Sequence, residues 1–216
     1  KVGVNGNIKF DILVSKDNIS PLEKKESGWV VFGSTRPGDE GPVMEAVTKL
    51  YQEHPGLNFV IAPRHLERLS EVKELMVSYG IEFQLHSERL GSRNTRLVLL
   101  DQLGELNGYY AKGCLAFVGG SFNPRFGGQN IIEPASYALP VVFGRHMNNF
   151  EEEARLLIDS GGGIQINNPK ELYDVLNRLL SNQQERQNFG RKAWKTVVDN
   201  RGAVNKTIEL ITRFTN

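Results

Sequence analysis

The chain has 216 residues, 26 basic against 25 acidic side chains, and a single cysteine. This length allows one large domain or two small ones, and the nearly neutral charge gives no field that would favour nucleic acid as a partner. No apolar run reaches the roughly 18 residues of a membrane-spanning helix, and no secretory signal is visible. The lone Cys114 excludes an internal disulfide framework and fits a reducing compartment. Because the chain starts with Lys1 on a strand-like segment, we expect it to be the interior of a longer protein.

The predicted elements alternate between short apolar runs and amphipathic runs. Residues 1–27 have little apolar periodicity, so they are predicted to be a connector that contains a first strand. Strands are then predicted at residues 29–32, 59–62, 82–85, 96–100, 115–118, 139–143 and 164–166. Helices are predicted in a run ending near 53, at 66–79, at 105–111, from about 130, at 150–159, at 169–180, and at 183–216 with a break at 200–202. The polar residues 87–95 predict a surface loop.

Short apolar strands that alternate with helices predict an α/β fold, in which a Rossmann-like parallel sheet carries helices on both faces. The main domain is predicted at residues 28–182, followed by C-terminal helices at 183–216. Ligands of such sheets bind beyond the carboxyl ends of the strands. The loops expected at that edge hold the unusual polar clusters of the chain; they lie at residues 33–36, 63–65, 104–106, 119–129 and 144–146.

The stretch from Phe117 to Ala135 is the most informative of these loops. Glycines between a strand and a helix let backbone N–H groups approach an anion, and the helix N-terminus adds partial positive charge. The carboxylate of Glu133, in the first turn, would repel a phosphate but can accept hydrogen bonds from two neighbouring hydroxyls, as on a ribose. Together these features predict a nucleotide site. The alternative is an ordinary helix start whose acidic residue suits the helix dipole.

Two arginines and one helix start on the same edge are further candidates. Arg64 follows a strand end that Pro63 fixes, and its guanidinium could bind a phosphate or carboxylate, or form a surface ion pair. Arg36 is a second possible anion contact. The segment Gly104–Leu106 opens a helix, so it either reads the edge of a base with its free backbone groups or is an ordinary helix start.

No metal site is predicted. The four histidines, at positions 54, 65, 86 and 146, lack paired ligand spacing, and the sequence contains no Asp-x-Asp. The P-loop, the dinucleotide-binding glycine motif and the Gly-x-Ser-x-Gly of hydrolases are also missing from the sequence. The residues therefore favour recognition of an anion and a ribose without a metal and without a cofactor.

Several short motifs occur in the same order as in a known family. They lie at residues 5–11, 33–35, 62–65 with 67–68, 104–106, 117–121, 127–130, 133–135 and 149–150. Through them, residues 1 to about 166 resemble the C-terminal half of the 3-deoxy-D-manno-octulosonic acid (Kdo) transferases. The resemblance implies one domain of a GT-B glycosyltransferase, an enzyme that moves Kdo from CMP-Kdo to the lipid A precursor of lipopolysaccharide. Such transfer inverts the anomeric carbon and uses no metal.

The resemblance also implies roles for individual residues. The residues implied to hold CMP are Pro63, Arg64, Gly104, Glu105, Leu106, Asn130, Ile131, Ile132 and Glu133. Those implied to shape the phosphate and Kdo end are Ser34, Arg36, Gly119, Gly120, Ser121, Gly127, Gly128 and Gln129. The family often has histidine at the position of Gln129, so acid–base work by that side chain is not expected here.

The resemblance covers only half of the family's chain. The N-terminal half would hold the catalytic base, the acceptor site and the membrane-contacting surface, so this chain alone is expected to be soluble, to bind donor and not to turn over. The full-length enzyme is expected at the cytoplasmic face of the bacterial inner membrane, with CMP-Kdo and a lipid A precursor as its partners and no nucleic acid. The basic residues of the tail either face the missing half and anionic lipid or form a solvated helix face; they are Arg186, Arg191, Lys192, Lys195, Arg201 and Lys206.

Two other functions stay open on the sequence. One is a GT-B enzyme or an epimerase that uses a UDP-sugar. The other is a nucleotide-binding regulatory module without catalysis.

Overall fold

A computed structural model describes residues 6–11, 28–88 and 95–215 of the chain. Within these ranges, seven strands form one sheet in which each neighbouring pair is parallel. The strands are β1 (Trp29–Thr35), β2 (Asn58–Pro63), β3 (Gln84–Leu85), β4 (Leu97–Leu99), β5 (Gly113–Val118), β6 (Val141–Gly144) and β7 (Gly163–Ile166). Their order across the sheet is β3-β4-β2-β1-β5-β6-β7. The predicted α/β fold with a parallel sheet is confirmed.

The helices lie between the strands and after them. They are α1 (Glu40–Glu53), α2 (Leu69–Ser78), α3 (Leu106–Lys112), α4 (Ile132–Ser136), α5 (Glu151–Ser160), α6 (Leu172–Ser181), α7 (Gln183–Asp199) and α8 (Ala203–Thr215). The helices predicted from residues 66, 150 and 169 each begin as an α-helix later than expected, because a single 3₁₀ turn precedes them; these turns are Leu66–Arg68, Asn148–Phe150 and Pro169–Glu171. The predicted break at residues 200–202 is confirmed.

Helices cover both faces of the sheet. Successive side chains of a strand point to opposite faces, and β1 illustrates the result. Val30 and Phe32 lie in a core with residues of α1 and α6, whereas Trp29 and Val31 pack with Tyr109 of α3. A sheet buried on both sides needs apolar residues at consecutive positions, and such runs allow the strands to be predicted from the sequence.

The strand order reverses between β1 and β5. The chain runs from β1 to β2, continues to β3 at the edge, and comes back to β4 between β3 and β2. It then crosses to β5, on the other side of β1, and continues outward to β7. At such a switch point the loops that follow two neighbouring strands separate, and a crevice opens at the carboxyl edge of the sheet. The topology therefore places the loops after β1, β2 and β5 around one opening.

The long helix α7 packs within this domain. Ala193 and Val197 are buried in a core with residues of β6 and α4, and Gly190 lies against the backbone of Ala138. Arg186 is also buried, and its guanidinium donates to the carbonyl oxygens of the last turn of α6. Arg186 thus caps a neighbouring helix rather than facing solvent, lipid or another domain. The predicted packing of residues 183–216 toward a further domain stays a prediction, which now concerns α8 and its exposed Ile208 and Ile211.

A short segment near the start of the chain is tied to the end of the domain. Residues Ile8–Phe10 form a 3₁₀ turn, and Phe10 is buried. Both carboxylate oxygens of Asp11 accept hydrogen bonds from the backbone at the start of α8, from Gly202 at 2.6 Å and Val204 at 2.7 Å. Most of the predicted connector at residues 1–27, which was expected to contain a first strand, and most of the predicted loop at 87–95 lie outside the described residues. Over the part of the chain that is described, none of the helices has the length and hydropathy needed to cross a bilayer.

Candidate nucleotide site

A cleft of about 360 Å³ opens at the carboxyl edge of the sheet. It is bordered by the loops after β1, β2, β4 and β5 together with the start of α3. Of the residues predicted for donor binding, the cleft brings together Ser34, Pro63, Arg64, Gly104, Leu106, Gln129, Asn130 and Glu133. It also includes residues that the motifs did not single out, namely Ala62, Leu66, Leu100, Gln102, Leu103, Asn107 and Phe150. Six of the nine predicted CMP contacts therefore share one concave surface with the sugar-end contacts Ser34 and Gln129.

Glu133 is the acidic group of the cleft. It lies in the first turn of α4, as predicted, and is only partly accessible. Burial raises the pKa of its carboxyl, whereas a hydrogen bond from the Asn107 side chain and the positive charge of Arg64 lower it. A carboxylate held in this way can accept hydrogen bonds from two adjacent hydroxyl groups.

The loop after β2 brings a cation to the wall of the cleft. The N–H group of Arg64 donates to the carbonyl oxygen of Thr35 at 3.0 Å, which ties this loop to the end of β1. The guanidinium of the next turn, Arg68, pairs with the buried Glu40 at 2.7 Å and with Glu71 at 2.8 Å. The backbone hydrogen bond at one end of the loop and the ion pairs at the other hold it in place, so the exposed Arg64 sits on a fixed backbone.

Arg36 lies behind the cleft rather than among the residues that line it. Its guanidinium contacts the Nε2 atom of His65 and stacks near the ring of Phe126. Burial lowers the pKa of Arg36, and the nearby charge of Arg64 lowers it further. Because Nε2 accepts from Arg36, the neutral His65 ring carries its proton on Nδ1, which faces Glu67 at 3.2 Å. Two arginines thus concentrate positive charge at one end of the cleft.

Backbone geometry shapes two further parts of the wall. Ser34 has a φ of +54°, and the pairing of β1 with β2 shifts register between Gly33 and Thr35. Such a conformation is uncommon for a residue with a side chain and is found at bulges beside functional sites. At the other end, Gly104 has a φ of +87°, which turns the chain into α3 and suits glycine.

The glycine pair after β5 does not offer its N–H groups to a ligand, contrary to the prediction. The N–H of Gly119 donates to the carbonyl of Gly33 at 2.9 Å, and that of Gly120 donates to the Asp39 carboxylate at 2.6 Å. Asp39 is almost completely buried and also accepts from the N–H of Arg36 at 2.7 Å. Internal acceptors therefore take both N–H groups, because the loop between β1 and α1 packs directly on these glycines.

Other predicted site residues have internal roles in this structure. The hydroxyl of Ser121 is buried, donates to Val118 and accepts from the N–H of Gly144, so its side chain fastens β5 to β6. Ile131 and Ile132 are buried in the core. The family resemblance had implied that both residues hold CMP. Their side chains support α4 from below and do not line the cleft.

Three further predicted residues do not line the cleft, namely Glu105, Gly127 and Gly128. Glu105 precedes α3, and its exposed carboxylate lies 3.7 Å from His86. A side chain on Gly127 would overlap Asn149, and one on Gly128 would overlap the sulfur of Met147. These two glycines therefore let the loop after β5 approach the turn before α5.

Asn149 and Phe150 connect this loop to the start of the chain. Asn149 donates to the carbonyl oxygens of Phe126 and Gly127, from its side-chain amide and its backbone N–H respectively. The ring of Phe150 lines the cleft. Lys9 donates to the carbonyl of Asn149 at 3.0 Å, lies over the ring of Phe150, and pairs with the buried Glu153 at 2.9 Å. Asn7 adds a hydrogen bond to Glu153 at 2.9 Å. The segment at residues 7–9 thus braces one wall of the cleft.

Sequence reasoning missed Asn107, Asp39 and Lys9 as parts of the site. Lys9 lies inside the motif at residues 5–11, and Asp39 follows the motif at residues 33–35. Their positions could therefore have identified them as candidates. Asn107 carried none, because a polar residue in the first turn of a short helix is ordinary in a sequence.

Metal ligands do not cluster in the described part of the chain. There, no group of three or more histidine, cysteine, aspartate or glutamate side chains is arranged to hold an ion. The prediction of a reaction without metal stays a prediction.

Proteins with similar sequences include Kdo transferases of several bacteria. A Kdo transferase of Haemophilus influenzae is 30% identical over 219 residues, covering 98% of this chain and 51% of that protein. A Kdo transferase of Chlamydia pneumoniae is 32% identical over 202 residues, covering 89% of this chain and 45% of that protein. The chain thus spans about half the length of the curated relatives that it matches. No family model matches the chain.

Solved structures with a similar fold include a CMP-Kdo binding domain. The C-terminal CMP-Kdo binding domain of WaaA from Acinetobacter baumannii is 27% identical and superposes with a TM-score of 0.73, covering 80% of this chain and 90% of that domain. MnaA of S. aureus, solved with UDP, is 16% identical with a TM-score of 0.65, a likeness that concerns the fold alone. In sequence and in fold, the chain is therefore similar to the C-terminal half of the Kdo transferases, and its fold is that of the C-terminal domain of a GT-B glycosyltransferase.

Proposed function

We propose that this chain is the donor-binding half of a Kdo transferase and that it holds CMP-Kdo in the cleft at the carboxyl edge of its sheet. The observation that carries the proposal is the assembly of Glu133, Arg64 and the Gly104–Leu106 turn around one cleft. The similarity to a CMP-Kdo binding domain supports the identity of the nucleotide and the sugar.

The contacts divide the donor into three parts. The ribose hydroxyls donate to the Glu133 carboxylate, and the cytosine lies against the turn at Gly104–Leu106. The phosphate and the sugar lie toward Arg64, Gln129 and Ser34. Since the N–H groups of Gly119 and Gly120 are taken internally, side-chain cations rather than these glycines balance the negative charge of the donor.

In the full-length enzyme, Kdo would move from CMP to a hydroxyl of the lipid A precursor. Arg64, with Arg36 behind it, would stabilise CMP as the departing anion in a site partly shielded from water. A base in the other half of the enzyme would remove the proton of the acceptor hydroxyl. The acceptor, the membrane surface and the location at the inner face of the inner membrane belong to that whole enzyme. The transfer would need no metal.

The proposed donor site should prefer CMP to uridine nucleotides. Calorimetric titration of the chain with CMP, UMP, UDP and UDP-GlcNAc is expected to give the tightest binding for CMP, with the same affinity in a chelator as in magnesium. Replacing Glu133→Ala removes the acceptor for two hydroxyls and should weaken CMP binding by about 2–3 kcal/mol, roughly 30–150-fold.

Glu74→Ala is the matched control, because Glu74 is an exposed acidic residue of α2 away from the cleft. It should leave CMP affinity unchanged. A preference for UDP over CMP would sink the Kdo assignment and favour a UDP-sugar enzyme. Equal CMP affinity in the Glu133→Ala variant and the parent chain would show that the ribose assignment is wrong.

A further inference from the structure

We propose that Arg36 and Arg125, which both lie over the ring of Phe126, form a second anion subsite beside the nucleotide cleft and bind the carboxylate of the donor sugar there. The inference rests on the proposed function and deepens it, because Kdo is an acidic sugar and CMP-Kdo therefore carries two anionic groups, a phosphate and a carboxylate. Arg64 lines the cleft and serves the phosphate. The carboxylate is then left without a cation of its own.

The sheet edge that carries the cleft is locally basic. The segments at the ends of β1, β2, β5 and β6 together contain four arginines and no aspartate or glutamate; they are residues 33–38, 63–66, 119–130 and 144–150. The whole chain has a formal net charge of only +1. The positive charge is therefore concentrated at this edge, and such a concentration attracts anionic ligands.

The guanidinium of Arg36 lacks a counter-ion within the protein. Among the described residues, neither Arg36 nor Arg125 forms an ion pair. The carboxylate of Asp39, three residues after Arg36, already accepts from the backbone N–H groups of Arg36 and Gly120. Arg36 is also half-buried, and its Nε atom is buried without a hydrogen-bond partner in the described part of the chain. A partly buried cation is costly without an anion, and a bound carboxylate would supply one.

Two aromatic rings hold the guanidinium of Arg36 in place. Its Nη1 atom contacts Nε2 of His65, and its central carbon lies 5.2 Å from the centroid of the Phe126 ring. The guanidinium carbon of Arg125 lies 6.0 Å from the same centroid. Apart from the contact with His65, no side-chain N–H group of Arg36 has an acceptor among the described residues. A guanidinium binds the two oxygens of a carboxylate as a fork, so the remaining N–H groups suit this ligand.

The subsite adjoins the cleft at the end where the sugar is proposed to lie. A side chain added at Gly120 would come within 3.4 Å of the stem of Arg36 and within 3.2 Å of the side chain of Gln129. These two side chains are therefore neighbours over Gly120, and Gln129 lines the cleft. A sugar that lies against Gln129 thus has Arg36 beside it.

The test compares a carboxylate with a neutral group of nearly the same shape. Calorimetry at about 0.15 M salt measures the affinities for CMP-Kdo, for its analogue with a carboxamide in place of the carboxylate, and for CMP. The parent chain is expected to bind CMP-Kdo about 10–100-fold more tightly than the carboxamide, the factor of a charge-assisted hydrogen bond. Arg36→Gln should reduce this preference to less than about threefold and change the affinity for CMP by less than about threefold. A ratio of two affinities is used because a general loss of folded protein does not alter it.

Three further variants complete the comparison. Arg36→Lys keeps the charge but loses the fork, so it should retain part of the preference. Arg125→Gln, at an exposed position, should lower the preference about two- to fivefold. Arg191→Gln is the matched control, because Arg191 is an exposed arginine of α7 that does not line the cleft. It should leave the preference unchanged.

An unchanged preference in Arg36→Gln, or a parent chain that binds the carboxamide as tightly as CMP-Kdo, would overturn the proposal. Equal losses of affinity for CMP and CMP-Kdo in Arg36→Gln would place Arg36 at the phosphate and overturn it as well. Each of these results leaves CMP binding by the parent chain, and with it the proposed function, intact. If the parent chain instead binds UDP and not CMP, the proposed function is wrong, and UDP-glucuronic acid against UDP-glucose then provides the same comparison of a carboxylate with a neutral group. Absence of binding to all of these nucleotides would contradict both proposals.

Discussion

The buried carboxyl group of Asp39 holds the loop after β5 in place. Its carboxylate accepts from the N–H groups of Arg36 and Gly120, and an added side chain at Gly119 would meet its oxygen. Burial raises the pKa of Asp39 to about 6, and the adjacent Glu40 contributes to the rise, although the hydrogen bonds oppose it. The residue therefore fixes the shape of the loop while costing stability whenever it is ionised.

This cost predicts a pH-dependent stability. A carboxyl whose pKa is about 6 in the folded chain and about 3.8 when unfolded favours folding most in its protonated form. Its contribution is complete below about pH 4 and is lost as the pH rises through about 6, by up to about 3 kcal/mol. Asp39→Asn removes this titration. Urea unfolding from about pH 4 to pH 8 should show the parent chain losing stability relative to the variant over that window. Parallel pH profiles for the two proteins would contradict the assignment.

At the scale of elements, close backbone approaches decide which helices pack together. A side chain on Gly190 of α7 would overlap the carbonyl oxygen of Ala138, in the loop between α4 and β6. Ala138 itself has a φ of +55°, so this loop has little freedom to move away. The glycine thus allows α7 to cover the core beneath the cleft, with Ala193 and Val197 buried beside it.

Gly190→Ala should therefore destabilise the domain even though alanine favours helices. The overlap with Ala138 is expected to lower the free energy of unfolding by about 2 kcal/mol, measured by chemical denaturation. Gly41→Ala in α1 is the matched change, because no atom lies within 4 Å of the added carbon there. It should leave stability unchanged or raise it by up to about 1 kcal/mol. Equal effects of the two substitutions would show that α7 can shift to accommodate the methyl group.

At the scale of the whole molecule, contacts distant in sequence connect the start of the chain to the cleft. Lys9 and Glu153 are paired across the domain, with Glu153 almost completely buried and Lys9 partly exposed. The same lysine touches the backbone of Asn149 and the ring of Phe150, which lines the cleft. The segment that enters the domain is therefore part of the wall that faces the proposed donor.

Lys9→Met should leave the carboxylate of Glu153 buried without its cation. We expect the free energy of unfolding to fall by about 2 kcal/mol and a double variant with Glu153→Gln to recover part of the loss. Lys195→Met is the control, since Lys195 and Asp199 form an exposed pair within one helix, whose removal should cost less than about 0.5 kcal/mol. Thermal and urea unfolding of the four proteins measure these differences. A loss in Lys9→Met no larger than in Lys195→Met would contradict the bracing role.

The sequence by itself determined the fold class, the strand positions and the edge of the sheet that carries the site. It could do so because strands covered on both faces must be apolar throughout, and because parallel strands end at one edge. It also selected two residues that line the cleft, Glu133 from its place in the first turn of a helix and Arg64 from its place after a strand end. Element starts were less certain, since a 3₁₀ turn and the first turn of an α-helix have similar sequences.

Only the tertiary structure decided which groups are free to bind a ligand. The N–H groups of Gly119 and Gly120 and the hydroxyl of Ser121 are suitable donors by residue type, but Asp39, Gly33 and Val118 already take their hydrogen bonds. Asn107 and Glu133 line the same cleft only because α3 and α4 meet in space. A hydrogen bond depends on atoms within about 3 Å of each other. Residues far apart in the chain reach that distance through packing, which a linear pattern does not record.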